Sequence, residues 1–446
     1  MERKNRILRN ALRPTFLAAI LLLGGAKSTT AQQPQQPPPK LTLQQAEMMA
    51  LQNHPQIQAA QNEAAYANQQ ITIARAPYYP AVSAEVTGSQ ANNGARIGAG
   101  SLTDSRLFNR FGQGITFSQL ITDIGRTSNL VASSRLQAQA GSQNVQATRY
   151  DVLLQVNRSY FDVLHAQSVV RVAQATIAAR QLLLDQVTAL AQNNLKSQLD
   201  VSFADVNVSE ARLLLLRAQD AVEEAYAELS RGLGTDQVVN YQLADEPLPP
   251  SPPAKPDDLI AQAVSNRPEL ASLSFSRDAA YKFAEAEKDL VRPTVSLVGV
   301  AGYIPYIAQL TSQAIPPEYE GAAVNVSIPL FNGHLFSARR EAARYRALEA
   351  DQRLRNEQER VARDVRVAWA SATTAFQRID VTAQFLRQAA LALDLAQGRY
   401  NLGLSSIIEL TQAQLNQTQA EIENLSAKYD YQSQNAALQY TVGLLR

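Results

Sequence analysis

Pro80-Ala81-Val82-Ser83-Ala84-Glu85-Val86-Thr87 alternates apolar and polar residues behind a proline, and 213 positions later Pro293-Thr294-Val295-Ser296 opens in the same way. Period two marks a strand with one apolar and one polar face. Ile115 and Phe117 against Thr116 and Ser118 repeat the pattern, as do Val324, Val326 and Ile328 against Asn325 and Ser327. Four strands are expected, at about 81–90, 111–121, 293–303 and 321–330. Each is about as long as a tilted strand needs to be to cross a bilayer.

Working outward, the shift of 213 also relates Asn53-His54-Pro55 to Asn266-Arg267-Pro268. Further on, a shift of 209 relates Ser118 and Asp123 to Ser327 and Asn332, Leu199 and Ala204 to Ile408 and Ala413, and Leu229 and Gly234 to Leu438 and Gly443. These matches read as a tandem duplication whose units are far too long for an ordinary solenoid. The 20 prolines are clustered, with none between Pro80 and Pro247 and none after Pro329. Proline is excluded from helix interiors and central strands, so two long uninterrupted arms follow. The first repeat is expected over 32–246, a stiff proline-rich linker over 247–256, and the second repeat over 257–446. Loops around Ala91 to Asp104 and Tyr306 to Glu320 are expected at the extracellular ends of the strands.

Beyond the strands the period becomes helical. Val361, Val365, Ala368 and Ala372 are spaced 4, 3, 4, and Ile422, Leu425 and Tyr429 are spaced 3, 4, a seam for packing against neighbouring helices. Long helices are predicted at about 125–194, 198–234, 334–402 and 406–443, the longest reaching roughly 100 Å. Shorter helices are expected after Pro55 and Pro268. The lone Trp369 falls on an apolar helical stripe and is expected in the core.

The first 31 residues read as a secretory signal: Arg3, Lys4, Arg6, Arg9 and Arg13, then an apolar run from Phe16 to Leu23, then small residues closing at Ala31. Cleavage there leaves 35 basic and 39 acidic residues, which makes nucleic acid an improbable partner. With no cysteine, disulfides, thiolate metal sites and N-terminal lipidation are excluded. His54, His165 and His334 are far apart and lack ligand spacing, so no metal or other cofactor is expected. No recognisable nucleophile–base pair points to an enzyme. No run of 18 apolar residues follows the signal, so any membrane segment must be β. Four amphipathic strands cannot close a membrane barrel, whose smallest form has about eight. Two, three or four copies of the chain would be needed, and the strand number alone does not choose among them.

Ser118-Gln119-Leu120 through Asp123-Ile124-Gly125-Arg126, Ile328-Pro329-Leu330-Phe331-Asn332-Gly333, and Tyr400-Asn401-Leu402-Gly403 with Ile408-Glu409-Leu410 carry a further likeness. In this order and duplication the chain resembles the TolC-like outer-membrane efflux proteins across essentially all of its mature length. The resemblance implies a mainly α fold with membrane β, a homotrimer with a twelve-stranded barrel in the outer membrane, and a periplasmic tunnel of twelve helices. It also implies a passive duct for efflux or type I secretion, docked to a periplasmic adaptor and an inner-membrane pump. By resemblance the gate lies at the helical turns, where Tyr400 and Asp200 match a tyrosine and an acid that hydrogen-bond to hold the closed tip. Glu409 and Gln412 fall on two lumen-facing acidic ring positions, the second of them amide here. Ser405 falls where some members carry a bracing arginine, a role open to Arg399 or Lys196. Leu195, Lys196, Leu402 and Gly403 match the adaptor-docking turns. The first turn, Asn194 to Asp200, is read as shorter than its counterpart and lacks the glycine. Asp200 suits an N-cap equally well, Glu409 an ordinary solvated helix position, and Tyr400 a packing aromatic. The rival classes are a periplasmic adaptor, a soluble helical scaffold or pore-forming protein, and an exported hydrolase.

Overall fold

The computed structural model describes residues 40–90, 110–307 and 316–445. The expected signal peptide, the Ala91–Asp104 loop and much of the Tyr306–Glu320 loop lie outside the described residues.

The same series of elements occurs twice. β1 (Lys40–Leu41), α1 (Leu43–Asn53), α2 (Pro55–Arg75), β2 (Ala81–Ser89), β3 (Arg110–Thr122), α3 (Arg126–Gln192) and α4 (Gln198–Leu233) make the first series. β4 (Gln242–Leu243), α5 (Asp257–Asn266), α6 (Pro268–Lys288), β5 (Thr294–Ile307), β6 (Glu318–Ser327), α7 (Leu335–Asn401) and α8 (Ile407–Val442) make the second. α3 and α7 each have 67 residues, and α4 and α8 each have 36. At 1.5 Å per residue the first pair are about 100 Å long.

Local chemistry sets the boundaries. Pro55 and Pro268 occupy the first helical positions, where the missing N–H costs nothing. At the strand-to-helix joins the Asp123 carboxylate accepts the Thr127 N–H at 2.8 Å, and the Asn332 side chain accepts the Phe336 N–H at 3.4 Å. Gly125 (φ 105°) and Gly333 (φ 62°) turn the chain beside them in the left-handed region. β6 ends at Ser327, short of the expected 330, because Pro329 has no N–H to continue the ladder. The two-residue parallel pair of β1 with β4 and the short helices α1 and α5 have no counterpart in the sequence reading.

The strands form one antiparallel sheet in the order β2-β3-β5-β6. Register puts Val82, Phe117, Gly299 and Ala322 in one row, and Ser83, Thr116, Val300 and Gly321 in the next. Val82, Val86, Val324 and Val326 are 54–67% exposed, so nothing among the described residues covers the apolar face. β2 and β6 are open edges, and barrel closure is not achieved by one chain.

Equivalent positions build equivalent cores. Val152, Val156 and Leu229 pack in the first half where Val361, Val365 and Leu438 pack in the second. Tyr160 and Trp369 are equivalent at the shift of 209, and both hold the connector between the halves. The Tyr160 hydroxyl donates to the carbonyls of Leu41 (3.0 Å) and Ala244 (2.7 Å), and the Trp369 indole donates to Pro253 (2.8 Å). Trp369 is therefore half-buried with its N–H committed, not a purely apolar core residue. Tyr226 donates to the Tyr241 carbonyl, Tyr431 to Pro250, and the Gln432 amide to Glu246 at 2.8 Å. The connector from Tyr241 to Pro253 is thus clasped along its length, α3 and α4 holding Ala244 and Tyr241 and α7 and α8 holding Pro253, Pro250 and Glu246.

Candidate gate at the helical turns

The far ends of the two long hairpins form a separate core of Leu183, Val187, Ala204, Ala396, Tyr400, Ile407, Leu410 and Ala413. Both turns are five residues long, 193–197 and 402–406, which corrects the expectation that the first is shorter. Asn194 takes the left-handed conformation (φ 59°) that Gly403 takes in the second turn (φ 71°). Leu195 N–H then reaches the Leu190 carbonyl at 2.9 Å, and Leu404 N–H the Arg399 carbonyl at 2.8 Å, closing the same helix-ending motif twice. The first turn dispenses with glycine because asparagine tolerates this conformation.

The expected gate residues meet here, with a different pairing. Tyr400 is 5% exposed in the tip core, and its hydroxyl has no hydrogen-bond partner among the described residues. Asp200 does not bond to it, which corrects the expected Tyr400–Asp200 contact. Its carboxylate accepts from the Ser197 N–H (3.0 Å) and hydroxyl (3.0 Å), while the Asp200 N–H donates to Ser197 Oγ (3.1 Å), a capping box for α4. Burial chiefly, and then the Asp200 charge, push the Tyr400 phenol above its ordinary value and keep it neutral.

Lys196 and Arg399 supply the cations. The Lys196 ammonium lies 4.0 Å from the centroid of the Tyr400 ring, an attraction to the negative face of the π system. Arg399 pairs with Glu409 at 3.1 Å, both side chains being about half exposed. Ser405 Oγ is enclosed and has no partner among the described residues, and Gln412 is exposed and donates to Asn416 at 3.0 Å. Leu195 and Leu402 are 69% and 75% exposed, and a Cβ added to Gly403 would meet nothing within 4 Å, so the outer surface of both turns is open.

One functional candidate was missed in the sequence. Arg180, 4% exposed, donates from Nη1 to the Asn207 carbonyl at 2.8 Å, and Asn207 Nδ2 donates to Thr411 at 3.2 Å. This chain of contacts ties α3, α4 and α8 together just above the tip core. Burial lowers the Arg180 pKa, and Glu210 at 3.6 Å opposes that shift. The signal was there: Ala173, Thr176, Arg180, Leu183 and Val187 run at spacings of 3 and 4, with a charge in the middle of the buried seam.

No group of metal-ligating side chains occurs among the described residues, and no described helix is long and apolar enough to cross a membrane. The outer membrane efflux protein Bep C of Brucella suis biovar 1 is 23% identical over 394 residues, which cover 87% of this chain and 82% of the relative. Protein Cya E of Bordetella pertussis is 25% identical over 389 residues, covering 84% and 78%. A crystal structure of Cus C, solved in a study of folding and transmembrane channel formation, superposes with a TM-score of 0.78 at 19% identity over 90% of this chain and 92% of the other. The model of the family described as outer membrane efflux protein matches residues 48–235 and again 259–444, one match for each half, and the chain belongs to that family.

Proposed function

We propose that three copies close the four-stranded sheets into a twelve-stranded outer-membrane barrel and the paired helices into a twelve-helix periplasmic tunnel. The observation that carries this reading is the sheet: among the described residues the outer edges of β2 and β6 have no partner strand, and one face is apolar and bare. Unpaired backbone groups cannot be left facing lipid, so each edge must meet the opposite edge of a neighbouring copy. The family is one of transport channels rather than enzymes, and this chain is an outer-membrane channel subunit for efflux or type I secretion.

In the assembled duct the tip closes the periplasmic end. The buried Tyr400 ring, held by Lys196 of the first turn, keeps the two hairpins of each chain together, and the Arg399–Glu409 pair ties the arms of the second hairpin to each other. Asp200 acts by fixing the start of α4, from which Lys196 is presented. Glu409 and Gln412 of three chains form the rings that cargo passes, where symmetry brings like groups close. Leu195, Lys196, Leu402 and Gly403 offer the open surface to a periplasmic adaptor carrying an inner-membrane pump.

Single-channel conductance in planar bilayers tests the reading. The wild-type protein is expected to insert and give small, cation-selective openings, and Lys196→Gln to enlarge them. Insertion failure under conditions that fold other outer-membrane proteins returns a soluble helical scaffold to first place.

A further inference from the structure

The four joins between sheet and helices share a chemistry that closing a barrel does not require. α2 ends at Arg75, α3 begins at Arg126, α6 ends at Lys288 with Arg292 just beyond, and α7 carries Arg339 and Arg340 in its second turn. Every strand end next to a helix therefore has a cation beside it. Three carboxylates at the same level, Asp123, Glu287 and Asp289, are hidden at 2–8% exposed, while the Glu341 side chain is about half exposed beside Arg340 and Arg344. The hidden three are spent internally, Asp123 on Thr127, Glu287 on Arg339 at 2.6 Å, and Asp289 on Arg292 at 3.2 Å. Arg75 and Lys288 are exposed and have no carboxylate within 4.0 Å among the described residues, and Arg340 has only Glu341 at 3.9 Å.

Helix dipoles account for half of this pattern. Cations at the C-terminal ends of α2 and α6 are favoured by the local field, but Arg126 and the Arg339–Arg340 pair oppose it at N-terminal ends. α4, α5, α6 and α8 each carry an acid in the first turn, whereas α1, α2, α3 and α7 carry none, and only α3 and α7 of these have arginine in their first two turns. Beside the cations is an apolar and aromatic rim, with Tyr79 67%, Ile328 57%, Leu330 92% and Phe331 83% exposed. Passing from the bare apolar sheet to this rim and then to the cations retraces the order of a bilayer from hydrocarbon to interface to headgroup.

We infer that these cations form a basic collar that binds the anionic phospholipid headgroups of the membrane leaflet facing the helices. The inference rests on the outer-membrane reading above, since it needs the sheet to sit in lipid. Arg75, Lys288 and Arg340 reach headgroup phosphates, while Arg292 and Arg339 brace the collar through their buried acids. A juxtamembrane cation adds roughly a fivefold preference for an anionic surface, so a few per chain select the lipids around the protein.

The full chain is reconstituted in vesicles of phosphatidylcholine alone and of phosphatidylcholine mixed with phosphatidylglycerol. Association of a labelled phosphatidylglycerol is measured against a labelled phosphatidylcholine. The wild type is expected to prefer the anionic lipid, and Arg75→Gln/Lys288→Gln/Arg340→Gln to lose on the order of fivefold per charge removed. The variant in which Arg75 and Arg340 become Lys is expected to keep the preference. Inorganic phosphate at matched concentration is expected not to compete, and competition would mean an ion site in place of a headgroup surface. Equal association of both lipids with wild type, or an unchanged preference in the Gln variant, overturns the collar. Conductance in phosphatidylcholine alone separates the two claims: insertion without lipid preference sinks only the collar, and no insertion sinks the channel.

Discussion

The two helical turns have one backbone and two chemistries. Each closes a long helix with a residue in the left-handed region, spends five residues, and starts a 36-residue helix after a serine. In the first turn Ser197 and Asp200 are locked in a reciprocal cap, and Lys196 is left to lie on Tyr400. In the second turn Ser406 makes no side-chain cap, and Glu409, the equivalent of Asp200, reaches back to Arg399. Duplication kept the geometry that both halves need and divided the charges between them. One turn became a stiff mount for a cation, and the other is flanked by the Arg399–Glu409 pair and the aromatic.

That division can be broken most severely at Tyr400. Tyr400→Ala removes a buried ring from the tip core and is expected to cost about 3–5 kcal/mol locally. Amide exchange is expected to quicken around Val187 and Leu410, while the core around Val156 keeps its protection; uniform protection in the variant defeats the idea. The caps come next. Ser197→Ala is expected to lose about 1 kcal/mol. Ser406→Ala should change stability little, and equal losses in chemical denaturation would erase the contrast. For the shared backbone, exchanging Asn194→Gly and Gly403→Asn together is expected to shift stability by under about 1 kcal/mol, because both residues accept positive φ. Arg399→Gln is smaller still, a few tenths of a kcal/mol for so exposed a pair, and its effect on conductance should vanish in high salt.

A final comparison lies between Glu47 and its equivalent at the shift of 213, Ile260. Burial raises the Glu47 pKa above 4.5, the Asn157 hydrogen bond at 2.7 Å opposes this, and Glu246 adds to it. A carboxyl raised in the folded state contributes stability that is full below its unfolded value and is lost as pH rises through the folded value. Thermal unfolding midpoints of wild type are therefore expected to fall across that window relative to Glu47→Gln; parallel pH profiles would show that the group is not coupled to folding.

The sheet and long helices were legible because proline and alternation are local signals, and because the duplication stated them twice. The gate was only half legible. An acid three residues after a serine serves as a cap or as a gate partner, and only the bonds around Asp200 separate the two. Asn194 hid an intact turn, since the missing glycine suggested a defect. The connector was read as a spacer because proline-rich chain has no internal hydrogen bonds. That same lack leaves its carbonyls free, and Trp369 and Tyr431 are far away in sequence, so their grip on Pro253 and Pro250 was invisible.

The clasped connector also fixes where leverage can arise. It touches all four long helices near the middle of α3, and the stretch from Tyr160 to Gln192 reaches about 48 Å beyond it. With the connector as a fulcrum, a swing of about 6° would carry the turn sideways by about 5 Å.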